Sequence, residues 1–208
     1  MISDDNFYYT PYKNGYIIRN NSFVKLNGLK NYNLIDCVIP KTFEGKRVYG
    51  FGYRCFHSGH SIVKVFIPNT INYFNGDTFA NCTNLTDILF EDGFHNVVLS
   101  SYLLYATNIT SFKFPIGTTI KGYSFAYTPI RDIYIYDFMT FNNANIFIAC
   151  SKSINIYVPE NYPYDSFGGR PVSKILPSYT FSIQTKGIKI LCVTNQLYYI
   201  TPFVFLFV

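Results

Sequence analysis

Residues 51–90 read Phe51-Gly-Tyr-Arg-Cys-Phe56-His-Ser-Gly-His-Ser-Ile62-Val-Lys-Val65-Phe-Ile67-Pro-Asn-Thr-Ile-Asn-Tyr-Phe74-Asn-Gly-Asp-Thr-Phe79-Ala-Asn-Cys-Thr-Asn-Leu85-Thr-Asp-Ile88-Leu-Phe90. The apolar residues Phe51, Phe56, Ile62, Val65 and Ile67 return as Phe74, Phe79, Leu85, Ile88 and Phe90, 23 residues on at every position. Val98, Leu103, Ile109, Phe112 and Phe114 repeat the pattern after 24 residues. Ile120, Phe125, Ile130, Ile133 and Ile135 follow after 21 or 22, and Phe147, Ile156 and Val158 close the series. Upstream, Leu34, Cys37, Ile39 and Pro40 match Ile62, Val65, Ile67 and Pro68. A fixed period in this range means a solenoid, because no unit can bury its own apolar face and neighbours must stack.

Each unit divides in two. The spacing Ile62-x-x-Val65-x-Ile67 ends in the alternation of a strand, so the intervening residues face the other way. Pro40, Pro68, Pro115 and Pro159 follow the strands and end them, where no ladder N–H is required; Glu91 and Tyr136 take that place in two units. Gly52 and Gly76 mark turns in the other half. Glu44-Gly45-Lys46 reads as a turn within an irregular insertion, Lys41 to Arg47. Tyr16–Ile18 and Phe23–Leu26 read as short opening strands. The expected fold is a leucine-rich-repeat β-rich solenoid or arc of about six coils, with one short parallel strand per 21–24-residue coil and few or no helices. The expected division is a polar lead-in over 1–14, the solenoid with its caps over 15–180, and an apolar C-terminal segment over 181–208. In that last part Ile188–Val193 and Leu197–Ile200 read as strands outside the register.

Composition agrees. The chain has 208 residues, 21 Phe, 20 Tyr and no Trp, and only 14% charged residues, so Asn, Ser, Thr and Tyr must cover much of the surface. The net charge of +5 is scattered, with no run of five basic residues, which does not indicate a nucleic-acid partner. Five cysteines, an odd number, are spread along the chain, and Cys37, Cys55, Cys82 and Cys150 fall on inward repeat positions. Cysteines two or three coils apart lie beyond the roughly 7 Å reach of a disulfide, so free core thiols are expected. Met1–Tyr12 lacks the apolar core of a secretory signal peptide. Ile190–Val208 carries no charge, and its 19 residues could just span a bilayer. A buried β-rich cap is the first reading of that tail and a membrane anchor the second.

The motifs Ile67-Pro68-x-x-Ile71-x-x-Phe74 and Phe79-x-x-Cys82-x-x-Leu85 resemble the unit I-P-x-x-V-x-x-I-G-x-x-A-F-x-x-C-x-x-L of the BspA-like, treponemal-type leucine-rich repeat family. Val48, Phe51, Gly52, Cys55 and Phe56 match the preceding copy. The copies at 98–115 and 120–135 depart from the motif, with Tyr105-Ala106-Thr107 in place of the Cys and no Cys in the second. The resemblance covers residues 15 to about 180. It implies a non-enzymatic protein-binding module, commonly a surface or secreted adhesin that binds host or cell-surface proteins. An intracellular scaffold of the same fold is the alternative, and free thiols favour it.

Two outward columns on the strand side are the candidate binding residues. Lys64, Asp87, Ser111, Asp132 and Asn155 form one; Phe66, Leu89, Lys113, Tyr134 and Tyr157 form the next. Rigid aromatics mixed with polar groups suit protein recognition, since they give contact area at low entropic cost. Cys55, His57 and His60 have the only metal-like spacing, C-x-H-x-x-H, but no second ligand pair follows, so no metal or other cofactor is expected. No nucleophile–base–acid set, zinc-protease helix or phosphate loop occurs, and no catalytic residues are expected. Sequons stand at Asn20, Asn81, Asn84 and Asn108.

Overall fold

The computed structural model describes residues 2–19, 35–137, 139–141, 144–172, 174–176, 179–185 and 188–194. The expected strand at Phe23–Leu26, Leu34, the sequon at Asn20, the strand at Leu197–Ile200 and most of the uncharged tail lie outside them. The chain winds as a β-solenoid of about four turns, fewer than the six coils expected from the spacing. Its strands on the principal face are Asp36–Val38, Lys64–Ile67, Asp87–Phe90, Ser111–Lys113, Asp132–Tyr134, Asn155–Val158 and Lys174–Ile175. They pair in parallel with their neighbours as two ladders, one ending at Asp87–Phe90 and the next beginning at Ser111–Lys113. Among the described residues the only helical segment is a 3₁₀ turn, Ala144–Phe147.

A second side of each coil carries a two-residue strand. Tyr73–Phe74 pairs with Lys46–Phe51, whereas Val98–Leu99, Thr119–Ile120 and Thr140–Phe141 form a separate ladder. The same coil boundary therefore interrupts both faces. The third side is a turn whose N–H groups reach the next coil. Phe56 donates to Thr78 O, Phe79 to Leu103 O, Leu104 to Ser124 O and Phe125 to Ile146 O. Residues two on either side of these apolar anchors hold positive φ, as at Asp77 (57°) and Asn81 (59°), or Tyr123 (62°) and Tyr127 (60°). This geometry turns alternate N–H groups towards the neighbour, and it satisfies backbone that would otherwise be exposed donor.

These bonds correct one register. Leu104, not Leu103, stands where Phe79 stands. The position three residues after each anchor is then Gly59, Cys82, Thr107, Thr128 and Cys150 in successive coils. The motif cysteine is not missing from the degenerate copies; threonine replaces it. Both side chains are small donors that cap a buried carbonyl. Cys82 Sγ donates to Phe56 O at 3.0 Å, Thr107 Oγ1 to Leu104 O at 2.9 Å and Thr128 Oγ1 to Phe125 O at 2.7 Å.

The core is an aromatic spine between the three sides. Phe56 and Phe79 stack at 5.2 Å, Phe51 meets both edge-on, and Phe125 stacks on Phe147 at 5.8 Å. Each end is closed by rings outside the repeat. Residues 2–19 form an antiparallel cap, Ile2–Ser3, Tyr8–Tyr12 and Gly15–Arg19, whose last strand joins Lys46–Phe51 in parallel. The segment read as a polar lead-in thus sends Phe7 and Tyr9 into the core. At the other end the Tyr- and Gly-rich excursion is a hairpin, Ser166–Phe167 with Arg170–Pro171. Gly168 and Gly169, both at positive φ, make its turn, and Phe167 is fully buried against Phe114 and Phe147. Glu44-Gly45 turns the hairpin Thr42–Phe43 with Lys46–Phe51, also with two positive φ angles. Tyr179–Thr185 and Ile188–Thr194 form a further antiparallel hairpin that takes in the start of the uncharged tail. Among the described residues no helix is long and apolar enough to cross a membrane.

Cys37, Cys55, Cys82 and Cys150 are free thiols, the first three buried and Cys150 half-buried. Burial pushes the Cys82 thiol up to about 12 and raises Cys37 and Cys55 as well. The thiolate is the reactive form. In native protein at pH 8, iodoacetamide is therefore expected to leave these three unmodified and to label them only after denaturation. Peptide mass spectrometry reads this residue by residue, and labelling of Cys55 before unfolding would contradict it.

Candidate functional face

Alternation along each principal strand decides what faces outward. In Lys64–Ile67, Val65 and Ile67 are fully buried while Lys64 and Phe66 are exposed. The parallel register then stacks equivalent residues. Asp36 lies beside Lys64 and Lys64 beside Asp87; Val38 lies beside Phe66 and Phe66 beside Leu89. In the second ladder Ser111, Asp132 and Asn155 are neighbours, as are Lys113, Tyr134 and Tyr157. Each column expected from spacing thus appears as two runs of the ladders, broken between Asp87 and Ser111 and between Leu89 and Lys113. Sequence reasoning omitted Asp36 and Val38, although the match of Cys37 to Val65 implied both.

The two ladders differ in chemistry. Val38, Phe66 and Leu89 form an apolar row, with Val38 61% and Leu89 54% exposed. Ile35, just ahead of the strand, is also exposed. Across the boundary, Tyr134 and Tyr157 stack face to face at 4.6 Å, and Lys113 Nζ lies 5.9 Å from the Tyr134 ring centre. The polar column of the first ladder alternates in sign, Asp36, Lys64, Asp87, and that of the second runs Ser111, Asp132, Asn155. Asn155 Nδ2 donates to Asp132 Oδ1 at 2.8 Å. These contacts hold the tyrosine half rigid before any partner arrives, which reduces the ordering cost of binding.

The C-x-H-x-x-H residues do not converge. Cys55 is wholly buried. The His57 ring bonds to Ser58 Oγ and the Asn81 amide, and His60 Nδ1 bonds to Thr83 Oγ1 in the next coil. No group of three His, Cys, Asp or Glu residues that could hold a metal occurs among the described residues. Burial, then the charge of Arg54, holds His57 below its ordinary value.

Comparison with known proteins agrees with this geometry. The chain is similar to the leucine-rich repeat protein of T. pallidum, TpLRR, whose crystal structure superposes with a TM-score of 0.62 at 18% identity, over 84% of this chain and 80% of that one. A leucine-rich repeat protein from Bacteroides ovatus aligns with a TM-score of 0.42 at 12% identity, over 84% of this chain and 67% of that one. No curated protein sequence matches. The model of the BspA type leucine rich repeat region matches residues 1–128 and 50–169 in six copies. The chain belongs to the BspA-type leucine-rich repeat family.

Proposed function

We propose that the protein is a non-enzymatic recognition module whose principal strand face, Lys64, Phe66, Asp87, Leu89, Lys113, Asp132, Tyr134, Asn155 and Tyr157 with Asp36 and Val38 added, grips a partner protein. The observation that carries the reading is the exposed apolar row Val38, Phe66, Leu89 beside a preorganised tyrosine pair. Large exposed apolar residues that adjoin one another are the usual mark of an interaction surface. Family membership supports the coarse reading, since leucine-rich repeat proteins typically mediate protein interaction. A surface adhesin that contacts host or neighbouring-cell proteins is the version we favour, and an intracellular scaffold is the alternative.

A photo-crosslinking residue in place of Leu89 is expected to capture a discrete partner in the source cells, and the same residue in place of Tyr127, on the turn side, is expected not to. With that partner purified, Phe66→Ala and Tyr157→Ala should each weaken binding by roughly tenfold or more, the scale of a central aromatic anchor. Equal capture from both positions, or unchanged affinity in both variants, would count against the strand face. Protease treatment of intact cells separates the two versions: external cleavage of the solenoid supports the adhesin, and protection with cleavage after permeabilisation supports the scaffold.

A further inference from the structure

The turn side holds a concave feature distinct from the strand columns. Stacking the coils by their hydrogen bonds aligns Tyr53, Gly76, Ser101 and Gly122, and likewise His57, Ala80, Tyr105 and Ala126. Gly76 thus lies between Tyr53 and Ser101, Asp77 between Arg54 and Tyr102, and Ala80 between His57 and Tyr105. The result is a trough of about 560 Å³ with small residues as its floor and rings as its walls. That volume lies within the roughly 300–1,000 Å³ typical of small-molecule sites.

The electrostatics narrow the ligand. Arg54 Nε pairs with Asp77 Oδ2 at 2.9 Å, so the trough's cation is matched by its anion. Burial, then the charge of Arg54, holds His57 below its ordinary value, which disfavours its cationic form. No net charge selects a phosphate or an ammonium group. What remains is aromatic faces together with planar hydrogen-bonding groups: the carboxylate of Asp77, the guanidinium of Arg54, which lies 5.2 Å from the Tyr53 ring centre, and the amide of Asn81, whose Nδ2 faces His57 Nε2 and whose oxygen can accept. The tyrosine walls are held in place: Tyr102 stacks at 4.9 Å on Tyr123 and meets Tyr105 edge-on at 5.7 Å. A pyranose ring matches this combination. Its C–H faces lie against aromatic rings, and its equatorial hydroxyls both donate and accept, as the planar side chains require.

We propose that this trough binds a neutral pyranose ring of an oligosaccharide. The test is a panel of neutral trisaccharides (gluco-, manno-, galacto-, fucosyl- and N-acetylglucosaminyl-), with sialylated and sulfated counterparts, each titrated into the full chain and followed by saturation-transfer NMR. At least one neutral member is expected to saturate. Tyr53→Ala on one wall and Tyr105→Ala on the other should each raise its Kd tenfold or more, Tyr105→Phe should stay within threefold, and Tyr164→Ala, exposed and outside the trough, should change nothing. Tyr53 is 54% exposed, so its removal tests the site without testing the fold. Comparing the saccharide free and linked to a carrier protein tells which form is preferred, and a preference for either supports the site. Saturation by no neutral member, by charged members alone, or with affinity indifferent to both wall variants would overturn the proposal.

Discussion

Phe79→Ala is expected to lower the stability of the solenoid by about 4 kcal/mol, within the roughly 3–5 kcal/mol seen when a buried ring is removed. Phe79 is fully buried, stacked on Phe56 at 5.2 Å and set edge-on to Phe51 at 5.7 Å. Its ring joins two coils, so truncation removes area from water-free packing and also cuts a nearest-neighbour coupling, the quantity that makes a solenoid unfold as one unit. Urea denaturation followed by circular dichroism should show an earlier midpoint and a shallower slope. Phe79→Leu is the control. Leu104 occupies the equivalent place in the next coil, fully buried, so leucine fits this site, and the cost should stay under roughly 1.5 kcal/mol. If the alanine variant matched the leucine variant, the spine would not be what couples the coils.

Gly50→Ala should be comparably damaging for a different reason. Gly50 lies on Lys46–Phe51 opposite Tyr73, and a Cβ there would stand 1.9 Å from the Tyr73 carbonyl oxygen. The obstacle is backbone, so no side-chain rotation relieves it. The close approach follows a bulge: Tyr16 pairs with Val48 and Ile17 with Gly50, so Tyr49 is the extra residue. Accommodating the methyl group requires Lys46–Phe51 and Tyr73–Phe74 to separate where the cap meets the first full coil. The expected cost is roughly 3 kcal/mol or more, at the upper end for overpacking. In a chain of this size that lowers Tm by roughly 6–12 °C. Gly45→Ala makes a useful comparison: nothing lies within 4 Å of its Cβ, so strain at its φ of 70° is the only penalty. A Gly50→Ala protein as stable as the wild type would show that the two strands are not held at this spacing.

The sequence made the repeat legible because its apolar spacing is nearly constant from Phe51 to Phe90, and the strand columns follow from it by counting. The register slipped at Leu103 and Leu104 because two adjacent leucines offer the same apolar signal. Only the hydrogen bonds that reach from Phe79 to Leu103 O and from Leu104 to Ser124 O distinguish them. The exchange of cysteine for threonine was hidden by reading the motif as a letter instead of as a donor to a buried carbonyl. Phe7 and Tyr9 could not be found by periodicity, since a cap has no period. The turn-side trough is hard to read because its signal is an absence, alanine between His57 and Tyr105 and glycine beside Tyr53. Writing the coils one above another and comparing side-chain size down each column would have exposed it.

The interruption of both ladders at one coil boundary has a mechanical consequence. Leu89 and Lys113 lie on opposite sides of it, and the strands that carry them share no ladder pairing. On the turn side the boundary is still stitched, by Asp77 to Ser101, Phe79 to Leu103 and Asn81 to Tyr105. Asn108 N–H also reaches Leu85 O just ahead of the strand and Ser100 Oγ–H reaches Asn75 O, so the two blocks are joined by turn and entry contacts while their principal strands carry no ladder bond to each other. Curvature can change there without breaking a ladder hydrogen bond, and with it the distance between the apolar row and the tyrosine pair. A partner that spans both would set the bend of the arc as it binds.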